Sequence, residues 1–264
     1  MHKPSAIAIV AHPDDIEFQM AGTLLRLKEA GWEIHYFNLA SGNGGCMEFD
    51  SSKISQIRRN EAQEAASILG AHWHAPICND LEIFYHDGLL RQVAAVIRKV
   101  KPSIVLTHAL QDYMEDHTNT ARLAVTAAFA HCIKNYETTP SQPAYYEDVT
   151  VYHCMPHGGR DPLRRRVIPG AWVDTTSVHA QAMEALKAHR SQHGWLDSSQ
   201  GMNNYLRVME ERSREMGTLS GVFELADGWH RHLHLGFSAT DSDPLAEALG
   251  AHYLINTAFE QSLN

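Results

Sequence analysis

The stretch SAIAIVAHPDD, Ser5 to Asp15, decides how the rest of the chain is read. Its first seven residues are a short, almost wholly apolar run with β-branched members, which suits a strand buried on both faces of a parallel sheet. Its last four leave that strand as a loop rich in ligand-type side chains. Working outward, Ile16 to Ala30 carries a helical pattern stopped by Gly31, and EIHYFNLA (33–40) is a second strand. A Gly-rich loop covers 41–52. Ser52 is placed to cap a helix running to Leu69 and closed by Gly70, and a short strand falls within 71–78. Gly88–Val100 reads as a helix, Ser103–Thr107 (SIVLT) as a buried strand and Asp116–Ile133 as a long helix. This strand–helix alternation predicts an α/β fold, a mostly parallel sheet with helices on both faces.

Beyond residue 133 the pattern is less regular. Strands are predicted at Asp148–Cys154 and Ala171–Asp174, separated by a Pro/Gly/Arg-rich loop, Met155–Gly170. Thr175 or Thr176 caps a helix through about Ser191. A polar stretch, His193–Gly201, leads to a helix at about Met202–Met216. A strand near His232–Phe237 and a helix after Pro244 complete the tail. No repeat or long linker divides the chain, so one domain over 1–264 is expected, with a core over about 5–192 and a C-terminal elaboration over about 193–264.

Composition narrows the function classes. A chain of 264 residues with 44% hydrophobic and 20% charged residues can bury a core without staples. With 22 basic against 31 acidic residues its net charge is −9, a poor field for nucleic acid, which is not expected as a partner. Cys46, Cys78, Cys132 and Cys154 form no CxxC pair and read as reduced thiols. No apolar run approaches the roughly 18 residues of a membrane span, and the start lacks a signal-peptide pattern. A cytoplasmic protein off the membrane is therefore expected, as a homo-oligomer by analogy with soluble enzymes generally. Eighteen histidines are about three times a background of roughly 2%. Histidine is the commonest metal ligand and a neutral-pH proton carrier, although most of the eighteen must serve neither purpose.

In an open α/β sheet, ligands bind at the carboxyl ends of the strands, where His12-Pro13-Asp14-Asp15 lies. His12 and Asp15, three apart across a proline turn, can face one cation with Asp14 beside it. Equally, Asp14 or Asp15 can simply cap the following helix. The segment Thr107–His117 (THALQDYMEDH) follows another strand and opens a helix, so it emerges at the same edge. Read alone, His117 is a solvated residue of a first helical turn. Read with His12 and Asp15, it completes three ligands with an open position, the pattern of a catalytic zinc site.

AHPDDIEF after a buried strand, Arg58 and Glu61 as RxxE in a helix ending AASILG, DYMEDH after a later strand, Val173-Asp174-Thr175 and His189-Arg190-Ser191-Gln192 occur here in order over about residues 5–192. Together they resemble the LmbE-like, or PIG-L, deacetylases. The resemblance implies a Rossmann-like fold and zinc-dependent removal of an N-acetyl group from a sugar or sugar conjugate. It implies His12, Asp15 and His117 as zinc ligands and Asp14 as general base. It also implies Arg58 and His189 near the substrate, and Asp116 as a residue that orients the ligand histidine or a neighbour. In one respect the chain departs from the pattern. Many members carry an oxyanion-stabilising histidine three residues before the last ligand, and Met114 stands there. A thioether donates no hydrogen bond, and loss of such a donor typically costs about 3 kcal/mol of transition-state stabilisation. Tyr113, His108, His157 and His189 are the candidate replacements.

Met114 also keeps open a zinc-retaining sugar-binding protein with little catalysis. A magnesium-dependent phosphoryl-transfer domain is disfavoured by the histidines, because magnesium prefers oxygen ligands. Ser41–Gly45 is not GxGxxG, so dinucleotide binding is not expected. Arg160 and Arg164–Arg166 are a solvated or salt-bridged cluster more readily than a phosphate site. His189 and His193 share a helical spacing, but Gly194 ends the pattern. Trp172, Trp195 and Trp229 are expected to pack the C-terminal region.

Overall fold

The computed structural model describes residues 3–192 and 205–263. The first strand, β1 (Ser5–Val10), is buried along its whole length at the centre of an eight-stranded sheet. Around it, in chain order, come α1 (Asp15–Gln19), α2 (Ala21–Glu29), β2 (Glu33–Asn38), α3 (Ser51–Leu69), β3 (His72–His74), α4 (Asp87–Val100), β4 (Ile104–Thr107) and α5 (Glu115–Phe129). They are followed by β5 (Thr150–Cys154), β6 (Ala171–Asp174), α6 (His179–Lys187), α7 (Tyr205–Ser220), β7 (Ala226–Arg231), α8 (Pro244–Leu249), β8 (Tyr253–Ile255) and α9 (Thr257–Ser262).

The sheet order is β3-β2-β1-β4-β5-β7-β6-β8. The first five strands are parallel, and β7 runs antiparallel between β5 and β6. The 3-2-1-4-5 order is that of a Rossmann-like sheet, whose ligand crevice opens where the winding reverses, between β1 and β4. The apolar run of β1 follows from its position. Ala6, Ala8 and Val10 face a core built with Leu24 and Leu27 of α2, Leu69 of α3 and Leu186 of α6. Ile7 and Ile9 face a second core with Val93 and Ile97 of α4 and Leu123 of α5. Truncating Ile9 to alanine in such packing would cost about 2–5 kcal/mol.

Several expected boundaries shift, each for a local reason. The helix expected over 16–30 breaks at Met20, whose φ of −149° separates α1 from α2. Asp50, not Ser52, caps α3, its carboxylate accepting the Lys53 N–H at 2.9 Å. The helix expected to run to Ile133 ends at Phe129 and tightens into a 3₁₀ turn. Neither Thr175 nor Thr176 caps α6: the Thr175 N–H donates to Leu225 O and the Thr176 N–H to Asp174 Oδ1, so a turn intervenes and the helix starts at His179. The strand expected at 232–237 lies earlier, as β7. The stretch His193–Gly201 and the start of the next expected helix, with His193 and Trp195, lie outside the described residues. Residues beyond 192 supply two of the eight strands, β7 in the sheet interior. Trp229 of β7 is fully buried and donates to Thr23 Oγ1, and Trp172 is buried too. All four cysteines are free. Among the described residues no helix is long and apolar enough to cross a membrane.

Candidate metal centre

The loops leaving β1 and β4 meet at the switch point. Asp15 N–H returns to His12 O, Asp15 Oδ2 accepts the His12 N–H at 2.7 Å, and Asn38 at the end of β2 donates to His12 O at 2.7 Å. This closes the turn and points three side chains at one place. One ligand atom from each of His12, Asp15 and His117 lies within 4.8 Å of the other two. His117 Nε2 is 3.4 Å from Asp15 Oδ1, and His12 Nδ1 is 3.5 Å from Asp15 Oδ2.

Each histidine is held by a carboxylate on its other nitrogen. His12 Nε2 meets Asp116 Oδ2 at 3.0 Å, and His117 Nδ1 meets Asp112 Oδ1 at 3.0 Å. Such a partner fixes the tautomer and aims the free nitrogen, as carboxylate–histidine pairs around metals do. Asp116 thus meets His12, the distant histidine, and not its neighbour. Asp112 was not singled out from the sequence, although it stands on the same loop. Two acids five and one residues before His117, one in the loop and one in the first turn of α5, do not reveal which imidazole each one meets.

The electrostatics call for a positive charge. Burial alone would lower the His12 pKa, but hydrogen bonds to Asp116 and Asp15 push it up to about 10. Burial would raise Asp15, yet His117 and His108 hold it well below the carboxylate range. Two imidazole nitrogens and one carboxylate oxygen, converging in a buried acidic setting, are a donor set that would suit zinc.

Asp14 lies beside this set in a left-handed conformation, φ 99°, that non-glycine residues seldom adopt. Its Oδ2 accepts from Tyr205 Oη at 3.1 Å and pairs with Arg58 Nη2 at 3.2 Å. Arg58 also donates to Pro13 O, so this side chain of α3 clamps the loop. Burial raises the Asp14 pKa to about 6, with Arg58 opposing it and Asp15 adding to it. Glu61, one turn on, accepts from Ser191 N and Ser191 Oγ. Gln192, next to Ser191, donates to Gly45 O at 3.0 Å and reaches the cavity. RxxE therefore ties the β1 loop with one residue and the 189–192 turn with the other.

A cavity of about 240 Å³ opens onto these groups, lined also by Phe18, Gly44, Gly45, Asp80, Leu81, Tyr113, Met114 and His157. The candidate replacements for the histidine absent at Met114 now separate. Tyr113 and His157 line the cavity. His108 is fully buried, stacked 4.1 Å from the His117 ring, and is not among the residues that line the cavity. His189, expected near the substrate, is 0% exposed and faces Glu17 at 3.4 Å behind the cavity wall. It has no surface for a substrate to touch. Burial lowers the His157 pKa to about 4, aided by Arg212, leaving a neutral imidazole that can donate one N–H. The arginine cluster is elsewhere: Arg166 pairs with Glu215 and Arg160 donates to Arg164 O.

Residues 7–128 match the family described as PIG-L, GlcNAc-PI de-N-acetylase. The 4-oxalmesaconate hydratase of Pseudomonas putida is 30% identical over 203 residues, 72% of this chain and 75% of that protein. The diacetylchitobiose deacetylase of Thermococcus kodakarensis is 25% identical over 196 residues, 70% of this chain and 69% of that protein. The crystal structure of the 4-carboxy-2-hydroxymuconate hydratase of Pseudomonas putida is similar with a TM-score of 0.72 at 24% identity, covering 91% of this chain and 99% of that one. By its sequence, its sheet order and these relatives, the chain belongs to the PIG-L (LmbE-like) family.

Proposed function

We propose that this protein is a zinc-dependent amide hydrolase that removes the acetyl group from an N-acetylated sugar or sugar conjugate. The observation that carries the reading is the convergence of His12, Asp15 and His117 at the cavity, with Asp14 beside them and its pKa raised to about 6. Zinc held by those three residues would lower the pKa of water toward about 7 and polarise the amide carbonyl. Asp14 takes the proton of the attacking water and returns it to the departing nitrogen. A base with a pKa near the working pH does both well. Arg58 and Tyr205 keep the carboxylate aimed, and Asp112 and Asp116 keep the imidazoles aimed. His157, neutral and in the wall, offers an N–H toward the charge that develops on the carbonyl oxygen, in place of the donor that Met114 cannot be. The products are acetate and a free amine.

The hydratase among the relatives favours a second reading, addition of water to a carboxylate-bearing alkene. Charge argues against it. Among the described residues the cavity wall has one guanidinium, Arg58, already paired with Asp14, against three carboxylates, Asp14, Asp15 and Asp80. Residues 193–204 contain no lysine or arginine either. A polyanion would meet no free lysine or arginine among these lining residues and would have to rely on the metal and its ligands for positive charge, whereas a neutral amide asks for none. Acetate release from a panel of N-acetylated amino sugars by zinc-loaded protein, with a chelated control, tests the proposal. Acetate in proportion to zinc is the expected result. No acetate, together with loss of alkene absorbance from a carboxylated enoate, would establish the second reading instead.

A further inference from the structure

We infer that the cavity mouth carries an apolar lip, Leu81 with Tyr113, that receives an apolar or aryl substituent of the substrate. The inference rests on the reading of this cavity as the substrate site. Leu81 is 72% exposed and Tyr113 is 52% exposed, yet both line the cavity that His12 and His117 reach.

A single exposed leucine needs no explanation. Leu81 is different in two respects. Its φ of 61° is a left-handed conformation that a leucine enters only under constraint. The constraint is visible: the Leu81 N–H donates to Asp116 Oδ2 at 2.7 Å, the same oxygen that holds His12. On its other side, Asp80 accepts the N–H groups of Gly42 at 2.7 Å and Gly44 at 2.9 Å. The tip of this loop is therefore pinned at the edge of the metal centre, presenting an isobutyl group to solvent. Tyr113 is fixed similarly, its ring edge-on to His117 at 5.7 Å. Asparagine or glycine would occupy the Leu81 backbone with less strain, so an exposed leucine there has to be accounted for by what its side chain does.

Size points the same way. At about 240 Å³ the cavity falls below the roughly 300–1,000 Å³ of sites that enclose a drug-sized ligand. A substrate larger than the part it buries must continue across the rim, and among the described lining residues Leu81 and Tyr113 are exposed apolar ones there. A bare sugar would leave them in water.

The test compares binding of the methyl and the 4-nitrophenyl β-glycosides of N-acetylglucosamine to zinc-loaded Asp14→Asn protein, by calorimetry, so that turnover does not interfere. The aryl glycoside is expected to bind at least tenfold tighter, about 1.4 kcal/mol. At about 25 cal/mol per Å² this corresponds to roughly 55 Å² of apolar surface removed from water. Leu81→Asn, which suits the left-handed backbone and retains the N–H to Asp116, should reduce the preference to threefold or less. Leu163→Asn, at an exposed leucine away from the cavity, should leave it at tenfold. Equal affinities, no binding of either glycoside, or a preference that survives Leu81→Asn would overturn the lip. Wild-type acetate release is scored separately. A lip preference without acetate leaves the lip standing and removes the deacetylase reading, and acetate without a preference does the reverse.

Discussion

Asp14 and Asp227 are both buried aspartates, and burial raises each to a pKa of about 6. Each is opposed by a nearby guanidinium, Arg58 for one and Arg212 for the other. Each accepts a hydroxyl, Asp14 from Tyr205 at 3.1 Å and Asp227 from Thr23 at 2.8 Å. They differ in what they face. Asp14 lines the cavity, on a strained backbone, beside His12 and Asp15. Asp227 lies in β7, its carboxylate also accepting the Thr23 N–H at 2.8 Å, in the chain of hydrogen bonds that ends at the buried Trp229 indole. A raised carboxyl pKa is therefore a property of burial here. Access to the cavity is what makes one of the two a candidate base.

The sharpest way to break this contrast is to neutralise each acid in turn. Asp14→Asn should lower acetate release by about 10³-fold, within the 10²–10⁴ range of general base catalysis, and still bind zinc stoichiometrically. Asp227→Asn should stay within about threefold of wild type. Turnover and metal content measured on both variants decide it. Equal losses from the two substitutions would mean that burial, not position, sets the effect.

The second contrast is in stability against pH. Asp227 is the ordinary case of a buried acid: its folded pKa is about 6 against an ordinary 3.8. The folded state then binds more protons between those values, so this group makes the protein less stable as pH rises from about 4 to 6. At full ionisation the penalty is roughly 3 kcal/mol, from about 1.4 kcal/mol per pKa unit. Asp227→Asn removes that slope, and its carbonyl can accept both Thr23 bonds. Denaturation of chelated protein at pH 4, 5, 6 and 7 should show the variant gaining on wild type with pH, by about 1–3 kcal/mol at pH 7 once the buried amide's own desolvation is counted. A constant difference across this range would mean that Asp227 ionises without penalty.

Asp112 extends the comparison to an acid whose partner reverses the effect of burial. Burial would raise it, but the hydrogen bond to His117 holds it below the usual range. Asp112→Asn should weaken zinc binding by about 10–100-fold, the usual cost of removing a carboxylate behind a metal-ligating histidine. Competition with a chromogenic chelator measures it, and unchanged affinity would detach Asp112 from the centre.

These residues also show where the sequence runs out. The parallel half of the sheet is legible because β1 and β4 are buried on both faces and therefore written as continuous apolar runs. β7 is ADGWHR, with no alternation and a central glycine, and only its neighbours β5 and β6 make it a strand. Loops leaving two strands at one sheet edge make a meeting of His12, Asp15 and His117 possible, and the resemblance to the PIG-L deacetylases is what favours it over a helix cap. The inward turn of His189 is not readable, because its partner Glu17 lies in α1 and nothing local joins them. Tyr205 and Leu81 escaped for the same reason, since each meets a distant acid, Asp14 for one and Asp116 for the other, whereas Asp112 escaped because its place close before His117 does not tell which imidazole it meets.

Tyr205 gives the finest test of what separates the two aspartates. It is the first described residue of α7, 191 positions from Asp14, and its ring packs edge-on against Phe18 at 4.9 Å. Tyr205→Phe keeps that packing and removes only the hydroxyl. If the hydroxyl aims the Asp14 carboxylate, kcat should fall about 5–10-fold, near 1–1.4 kcal/mol for one hydrogen bond to an acid, while KM stays within about twofold. A packing role alone would leave kcat intact in the phenylalanine variant and lower it only with Tyr205→Ala, which also lowers the melting temperature. Losing the Thr23 hydroxyl from Asp227 (Thr23→Val) is the matched control: it should lower the melting temperature and leave kcat within about twofold. Were Tyr205→Phe to behave as Thr23→Val does, the hydroxyl would have no part in aiming the cavity acid, and Arg58 would be left to hold the Asp14 carboxylate.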